Sequence, residues 1–211
     1  MHSAVASSLA KSPIIGVVRT GSSEEAAGQA HLFIAAGIEL VEITFTVPQA
    51  ADLVRELVAE RGDGGPPWIG MGTVTDGERA KSAVAAGASF LVSPNLSSEV
   101  AAVARQEDLF LVLGALTCTE IVAARDLGAD LVKVYPLPPV GGASYLATVR
   151  QPLDDIPMLA AGGFDIEEIP AYREVGAQAY GIGAPLLGRD EQESHQRIAR
   201  ALELARGNSP R

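Results

Sequence analysis

Short apolar runs rich in β-branched residues alternate with longer alanine-rich segments along the chain. The runs are typical of buried parallel strands, and the longer segments have the three- and four-residue apolar spacing of helices. Ala50, Leu53, Val54, Leu57 and Val58 form one helical stripe, which we expect to lie against a sheet. The eight predicted strands are residues 14–18, 40–45, 68–72, 90–92, 109–113, 131–135, 158–160 and 179–182.

Helix boundaries are marked by two kinds of signal. Capping boxes, in which a side-chain oxygen and a glutamate three residues later satisfy free backbone N–H groups, predict helix starts. Glycines that a strand follows almost directly predict helix ends in the left-handed conformation. The capping pairs are Ser22/Glu25, Thr75/Glu78, Thr117/Glu120 and Asp165/Glu168, and the glycines are Gly37, Gly87, Gly128 and Gly176.

Eight β/α units of this length favour an α/β fold of the (β/α)8 TIM-barrel type, in a single domain over residues 1–211. The competing open, doubly wound sheet would need a Gly-x-Gly-x-x-Gly turn after its first strand, and residues 19–23 offer none. We further predict an extra N-terminal helix at 3–11, a last outer helix at 190–206 and a disordered or polar tail at 207–211.

Composition narrows the classes of function. The chain has 26 acidic and 16 basic residues and a net charge of -10, without a basic stretch that could neutralise a nucleic-acid backbone. Its single cysteine, Cys118, cannot close an intramolecular disulfide, and its N-terminus lacks the apolar core of a signal peptide. No apolar stretch approaches the roughly 20 residues that span a bilayer. We therefore expect a cytoplasmic protein that binds neither nucleic acid nor membrane.

One amine stands inside a predicted strand. Lys133 lies in the apolar run 130–136, although the chain has only three lysines. Burial disfavours the charged ammonium and so favours a nucleophilic amine, which makes Lys133 a candidate Schiff-base lysine. Glu42, in the second strand, is also expected to point into the barrel. The two residues can be a nucleophile beside a general acid/base, or a buried structural ion pair.

Other polar groups fall at the carboxyl ends of the strands, where barrels carry their sites. Arg19 either pairs with Glu42 or binds a substrate carboxylate through two hydrogen bonds. Glycines at 162–163 and 181–183 place backbone N–H groups after the last two strands, where barrels commonly hold phosphate. These glycines predict an anion site.

Metal chemistry is not expected. The three histidines, His2, His31 and His195, all lie away from the predicted strand ends, so they cannot form a common ligand set there. We expect Cys118 to be a small buried residue and not a nucleophile.

Six segments in register resemble the 2-keto-3-deoxy-6-phosphogluconate (KDPG) / 4-hydroxy-2-oxoglutarate (KHG) aldolase family. They are residues 41–48, 70–75, 90–94, 116–120, 131–136 with Gly141-Gly142, and Gly162-Gly163. The resemblance implies a class I aldolase that needs no metal or other cofactor. It would cleave KDPG reversibly to pyruvate and glyceraldehyde 3-phosphate, or KHG to pyruvate and glyoxylate, and it would be a homotrimer.

The resemblance also implies roles for single residues. Lys133 would form the Schiff base, and Glu42 would be the general acid/base. Thr73 would hydrogen-bond the pyruvyl group, helped by the backbone of Gly72, and Pro94 would line the pocket. The residues that would receive the distal phosphate are Gly162, Gly163, Gly183 and Ala184.

Three departures from the family pattern concern the substrate. Thr46 stands where some members have an arginine that holds the carboxylate, and Arg19 is the candidate replacement. Ala161 and Ala184 stand where many members have hydroxyl side chains, which weakens the predicted selectivity for phosphate. Three alternatives stay open: cleavage of the galactonate epimer or of an unphosphorylated keto acid, decarboxylation of a keto acid, and a catalytically silent barrel that binds a phosphorylated ligand.

Overall fold

The computed structural model describes residues 1–62 and 65–207. Eight parallel strands form a closed barrel in which each strand pairs with the next and the last pairs with the first. This confirms the predicted (β/α)8 TIM barrel. The strands are β1 (Ile14–Val18), β2 (Leu40–Thr44), β3 (Trp68–Gly72), β4 (Phe90–Val92), β5 (Phe110–Ala115), β6 (Leu131–Val134), β7 (Met158–Ala161) and β8 (Ala179–Ile182).

Helices surround the barrel and follow the strands in alternation. Short 3₁₀ turns at Pro138–Val140, Ile166–Glu168 and Ala184–Leu186 come after the last three strands. The α-helices found in the described residues are α1 (His2–Lys11), α2 (Ser23–Ala35), α3 (Ala50–Arg61), α4 (Gly77–Ala85), α5 (Ser98–Gln106), α6 (Cys118–Asp126), α7 (Gly142–Arg150), α8 (Ile169–Glu174) and α9 (Glu191–Arg206). None of these helices is long and apolar enough to cross a membrane.

The predicted strands are confirmed, with small differences at some ends. β6 stops at Val134 and not at residue 135, because Pro136 has no N–H with which to continue the ladder. β2 stops at Thr44, whose carbonyl accepts from Val47 N at 2.9 Å and so begins a turn. β5 begins and ends later than predicted, and β7 extends to Ala161. Residues 208–211, most of the predicted tail, lie outside the described residues.

Three of the four predicted capping pairs are correct at their first residue. Ser22 and Thr117 cap α2 and α6, and Asp165 caps the 3₁₀ turn that precedes α8. Thr75 was the wrong cap for α4: Asp76 accepts from the N–H of Arg79 instead, and the Thr75 hydroxyl donates to the Asp76 carboxylate. Asp165 accepts from the N–H of Glu167, not Glu168, because a 3₁₀ turn begins there. All four predicted helix-end glycines have left-handed φ angles, between 84° and 91°.

Apolar side chains fill the barrel interior toward its N-terminal end, where α1 covers the opening. Val5 and Leu9 of this helix join the interior cluster, and Trp68 Nε1 donates to Ser8 Oγ at 2.9 Å. This confirms the extra N-terminal helix. A second cluster lies between the strands and the outer helices and includes the α3 stripe, whose Val58 is only partly buried. The barrel therefore has an apolar floor and an open end at the carboxyl ends of its strands.

Candidate active site

Lys133 and Glu42 are both buried inside the barrel. Lys133 lies two residues after Leu131 on β6, and Glu42 two residues after Leu40 on β2; both leucines belong to the interior cluster. Because strand side chains alternate between faces, the charged groups share the inward face with these leucines. The exposed fractions are 9% for Lys133 and 2% for Glu42. The two ionisable residues singled out from the sequence thus sit one layer above the apolar floor.

Glu42 occupies space that is free because residue 72 is a glycine. Its carboxyl group packs over the Cα of Gly72, where any added Cβ would overlap Glu42 Oε1. This Oε1 is buried and has no hydrogen-bond partner among residues 1–62 and 65–207. Gly72 therefore determines where the carboxyl group can lie.

The environment of Glu42 favours its protonated form. Burial raises the pKa of its carboxyl group, and the charges of Lys133 and Arg19 only partly oppose this effect. A carboxyl group whose pKa is raised keeps its proton to higher pH and can return that proton to a substrate more readily than an ordinary carboxyl group. Glu42 thus has the properties of a general acid/base.

Arg19 spans the ends of the first three strands through hydroxyl groups. Its Nη1 donates to Thr46 Oγ1 at 3.0 Å and its Nη2 to Thr73 Oγ1 at 3.2 Å. Thr44 Oγ1 lies 2.8 Å from Thr46 Oγ1 and donates to the Val18 carbonyl at 3.0 Å. Within the part of the chain that the structure describes, Arg19 makes no ion pair with Glu42. Its guanidinium is exposed at the mouth and can bind an anion.

A cavity of about 460 Å³ opens at this end of the barrel. Lys133 lies at its inner end, with Nζ 5.2 Å from the ring centroid of Tyr135. Arg19 and the predicted anion-binding residues also line the cavity. The predicted site residues that do not line it are Glu42, Thr46, Gly72, Thr73 and Pro94. Thr46 and Thr73 adjoin it through their hydrogen bonds with Arg19, and Gly72 lies against Glu42. The structure thus brings Lys133 together with Arg19 and the distal glycines in one space.

The distal wall is built mainly from backbone. Gly162 has φ +134° and packs so tightly that a Cβ there would come within 2.7 Å of Pro138 Cδ. Gly183 would bring a Cβ within 2.7 Å of the Val17 carbonyl oxygen, whereas Gly163, with φ +84°, faces open space. Packing and backbone conformation therefore explain these glycines without a ligand, although all three still line the cavity.

The wall facing the distal glycines contains polar side chains that the sequence interpretation missed. Thr20 and two residues of α2, Glu25 and Gln29, line the cavity. Their spacing of four residues places Glu25 and Gln29 on one helix face, but the sequence does not tell which way that face points. The distal end therefore combines backbone, the methyl groups of Ala161 and Ala184, and one carboxylate.

Pro94 lies at the end of β4 and is held by close backbone packing. A side chain at Gly114 on β5 would overlap the carbonyl of Pro94. Gly114 therefore lets the loop after β4 fold onto β5. This close approach gives Gly114 a structural reason to be glycine.

The prediction that Cys118 is buried was wrong. Cys118 is exposed, because it is the first residue of α6 and lies at the end of that helix, beyond its packed face. Two histidines have carboxylate partners of their own: His2 lies 2.8 Å from Asp130, and His31 lies 2.8 Å from Glu60. In residues 1–62 and 65–207, no group of three or more His, Cys, Asp or Glu is arranged to hold a metal ion.

Comparison with known proteins gives one consistent family. A family model described as KDPG and KHG aldolase matches residues 5–201. A 2-dehydro-3-deoxy-phosphogluconate aldolase of Treponema pallidum is 30% identical over 159 residues, which cover 75% of this chain and 74% of that protein. A 2-dehydro-3-deoxy-6-phosphogalactonate aldolase of Escherichia coli is 29% identical and covers 93% of this chain and 96% of its own length.

Solved structures agree with the sequence relatives. The structure of a 4-hydroxy-2-oxoglutarate/2-dehydro-3-deoxyphosphogluconate aldolase from TTHB1 superposes with a TM-score of 0.80 at 31% identity. The match covers 94% of this chain and 97% of that one.

Proposed function

We propose that the chain, which belongs to the KDPG and KHG aldolase family, is a class I aldolase in which Lys133 is the Schiff-base lysine and Glu42 the general acid/base. One observation carries this assignment. Lys133 is one of three lysines and the one that stands inside the barrel, where a buried carboxyl group shares the interior.

The proposed reaction begins when the Lys133 amine attacks the C2 carbonyl of the keto acid. The resulting carbinolamine loses water to give an iminium ion. Glu42 then takes the proton of the C4 hydroxyl while the C3–C4 bond breaks, and the bonding electrons move into the iminium to form an enamine. The aldehyde leaves, a proton is returned to C3, and water hydrolyses the imine to release pyruvate and the free amine.

Binding groups are proposed around this centre. Arg19 would hold the carboxylate of the keto acid through two hydrogen bonds, since its guanidinium is exposed at the cavity. Thr73 and the backbone of Gly72 would contact the pyruvyl part, Thr46 would orient Arg19, and Pro94 would limit the pocket. The distal part of the substrate would meet Gly162, Gly163, Gly183 and Ala184.

The substrate is proposed to be a 2-keto-3-deoxy sugar acid or 4-hydroxy-2-oxoglutarate. Cleavage of the galactonate epimer is the second candidate, because the galactonate-type relative aligns with 93% of the chain. Assays with both epimers, and with phosphorylated and unphosphorylated acids, separate these substrates by their values of kcat/KM.

Trapping with pyruvate and borohydride tests the central proposal. Reduction of the imine should fix the mass of a pyruvyl group on the peptide that contains Lys133. Lys11 and Lys81 are the internal controls and should stay unmodified. If Lys133 remains unmodified while the protein still binds a phosphorylated ligand, the silent-barrel alternative replaces the proposal.

The assembly and the location of the protein are proposed from the family resemblance and from the composition of the chain. A homotrimer is proposed from the family resemblance, and light scattering of the purified protein tests it. A cytoplasmic location is proposed from the single cysteine, and fractionation of cells that express the protein tests that location.

A further inference from the structure

Arg79 on α4 contacts both of the loops that supply hydroxyl partners to Arg19. Its Nη1 donates to the carbonyl oxygen of Thr73 at 3.1 Å and to Thr75 Oγ1 at 3.0 Å. Its guanidinium carbon lies 5.6 Å from the ring centroid of Phe45. One cation outside the cavity therefore connects the loop after β2 with the loop after β3.

Thr73 adopts a backbone conformation that needs support. Its φ angle is +59°, which is unfavourable for a β-branched residue. Arg79 holds the Thr73 carbonyl on one side, and Arg19 donates to the Thr73 hydroxyl on the other. In this conformation the Thr73 hydroxyl faces Arg19.

Phe45 ties the second loop to the same point. Its N–H donates to the carbonyl of Gly72 at 2.8 Å, and its half-buried ring lies under the Arg79 guanidinium. The next residue is Thr46, whose Oγ1 accepts from Arg19 Nη1. Contacts from Arg79 thus reach both hydroxyl groups that orient Arg19.

We propose that Arg79 is a positioning residue for keto-acid binding. It keeps Thr73 in its left-handed conformation and Phe45 in place, so that Thr73 and Thr46 present their hydroxyls to Arg19. This inference rests on the proposed function, in which Arg19 and Thr73 bind the keto acid. Without the Arg79 hydrogen bond, Thr73 can relax to a negative φ, which turns its hydroxyl away from Arg19.

The first test replaces the guanidinium with an apolar chain of similar reach. Arg79→Met should raise KM for the keto acid about tenfold, which corresponds to the loss of one charged hydrogen bond. The value of kcat and the yield of borohydride trapping at saturating pyruvate should change by less than about twofold, since Lys133 and Glu42 are untouched. Arg79→Lys keeps a cationic donor and should recover part of the loss.

Lys81→Met is the matched control. Lys81 lies two residues further on α4, pairs with Glu78 and is exposed, so this variant removes a positive charge from the same helix without contacting either loop. Its KM should equal that of the wild type. An equal rise in KM in both Met variants would overturn the proposal, because it would show a general charge effect.

A double-mutant cycle tests whether Arg79 acts through Thr73. In a Thr73→Ala background, Arg79→Met should raise KM by much less than tenfold, about twofold. Additive effects, or an Arg79→Met variant with wild-type KM, would overturn the positioning role alone. If Thr73→Ala itself leaves KM unchanged, the proposed binding role of Thr73 fails first and the inference fails with it.

Discussion

The inner and distal ends of the cavity present different kinds of chemical group. At the inner end the Lys133 amine lines the cavity, the buried Glu42 carboxyl shares the inward face of the barrel, and Arg19 lies nearer the mouth. At the distal end the wall consists of backbone and methyl groups, with Glu25 on the opposite side. Side chains determine which bond can be broken, whereas backbone N–H groups can donate hydrogen bonds to many different anions and hydroxyl groups. The reaction should therefore be more narrowly determined by this site than the distal group of the substrate.

Removal of the proposed nucleophile should have the largest effect, because it should abolish catalysis at the inner end and leave ligand binding intact. Lys133→Met should lower kcat by about 10⁴-fold or more, because no imine can form. Binding of a substrate analogue should persist, since Arg19 and the distal wall remain. Calorimetry with a keto-acid analogue checks this; a variant that still cleaves substrate would remove Lys133 from the mechanism.

Glu42→Gln should lower kcat by about 10²–10⁴-fold while imine trapping remains possible. The wild-type kcat/KM should rise with pH on an acidic limb that lies above the ordinary carboxyl pKa, because burial raises the pKa of Glu42. The variant should lack this limb. An unchanged limb in the Gln variant would assign it to another group.

The same substitution should change stability in a pH-dependent way. A raised pKa means that the folded protein binds the Glu42 proton more tightly than the unfolded chain does. Wild-type stability therefore falls as pH rises from the ordinary carboxyl pKa through the raised pKa of Glu42. Glu42→Gln should be more stable than the wild type at pH 8, and its advantage should be smaller at pH 5. Urea unfolding at both pH values measures the difference.

Arg19→Met should raise KM for keto acids by about 10- to 100-fold with a smaller change in kcat, since two charged hydrogen bonds to the carboxylate are lost. An analogue without the carboxylate should bind wild type and variant alike. Equal losses for both ligands would show that Arg19 supports the loops and does not contact the substrate.

Substitutions at the distal end of the cavity should change kcat/KM least. Glu25→Gln removes a carboxylate from the cavity wall and should raise kcat/KM for a phosphorylated acid, relative to its unphosphorylated counterpart, by about two- to fivefold. Glu24→Gln is the matched control, because Glu24 is exposed and does not line the cavity. If the two variants give the same ratio, Glu25 plays no part in selection of the distal group.

Much of the barrel could be predicted because its elements are locally encoded. Apolar runs and left-handed glycines define strands and helix ends, and four strands begin and end where predicted. Lys133 and Glu42 could be identified from the sequence for the same reason, since the alternation of side chains along a strand shows which residues share its inward face.

Other residues depend on how separate elements meet. The positioning role proposed for Arg79 could not be predicted from the sequence. It depends on the φ angle of Thr73 and on a helix that begins after Asp76 and not after Thr75. Glu25 and Gln29 line the cavity only because of the way α2 packs against β1 and β2 at the side of the barrel. Cys118 was misplaced because a helix pattern does not show how far the end of the helix projects from the barrel.

The helix α1, with Val5 and Leu9 against the interior cluster, closes one end of the barrel, and the cavity with Lys133 opens at the other end. Both products must leave through this open end, so they leave in a fixed order. The fragment nearer the mouth must depart before the one bonded at the inner end, so we expect the aldehyde to be the first product and pyruvate the last. Pyruvate should then inhibit competitively against the keto acid, and the aldehyde noncompetitively.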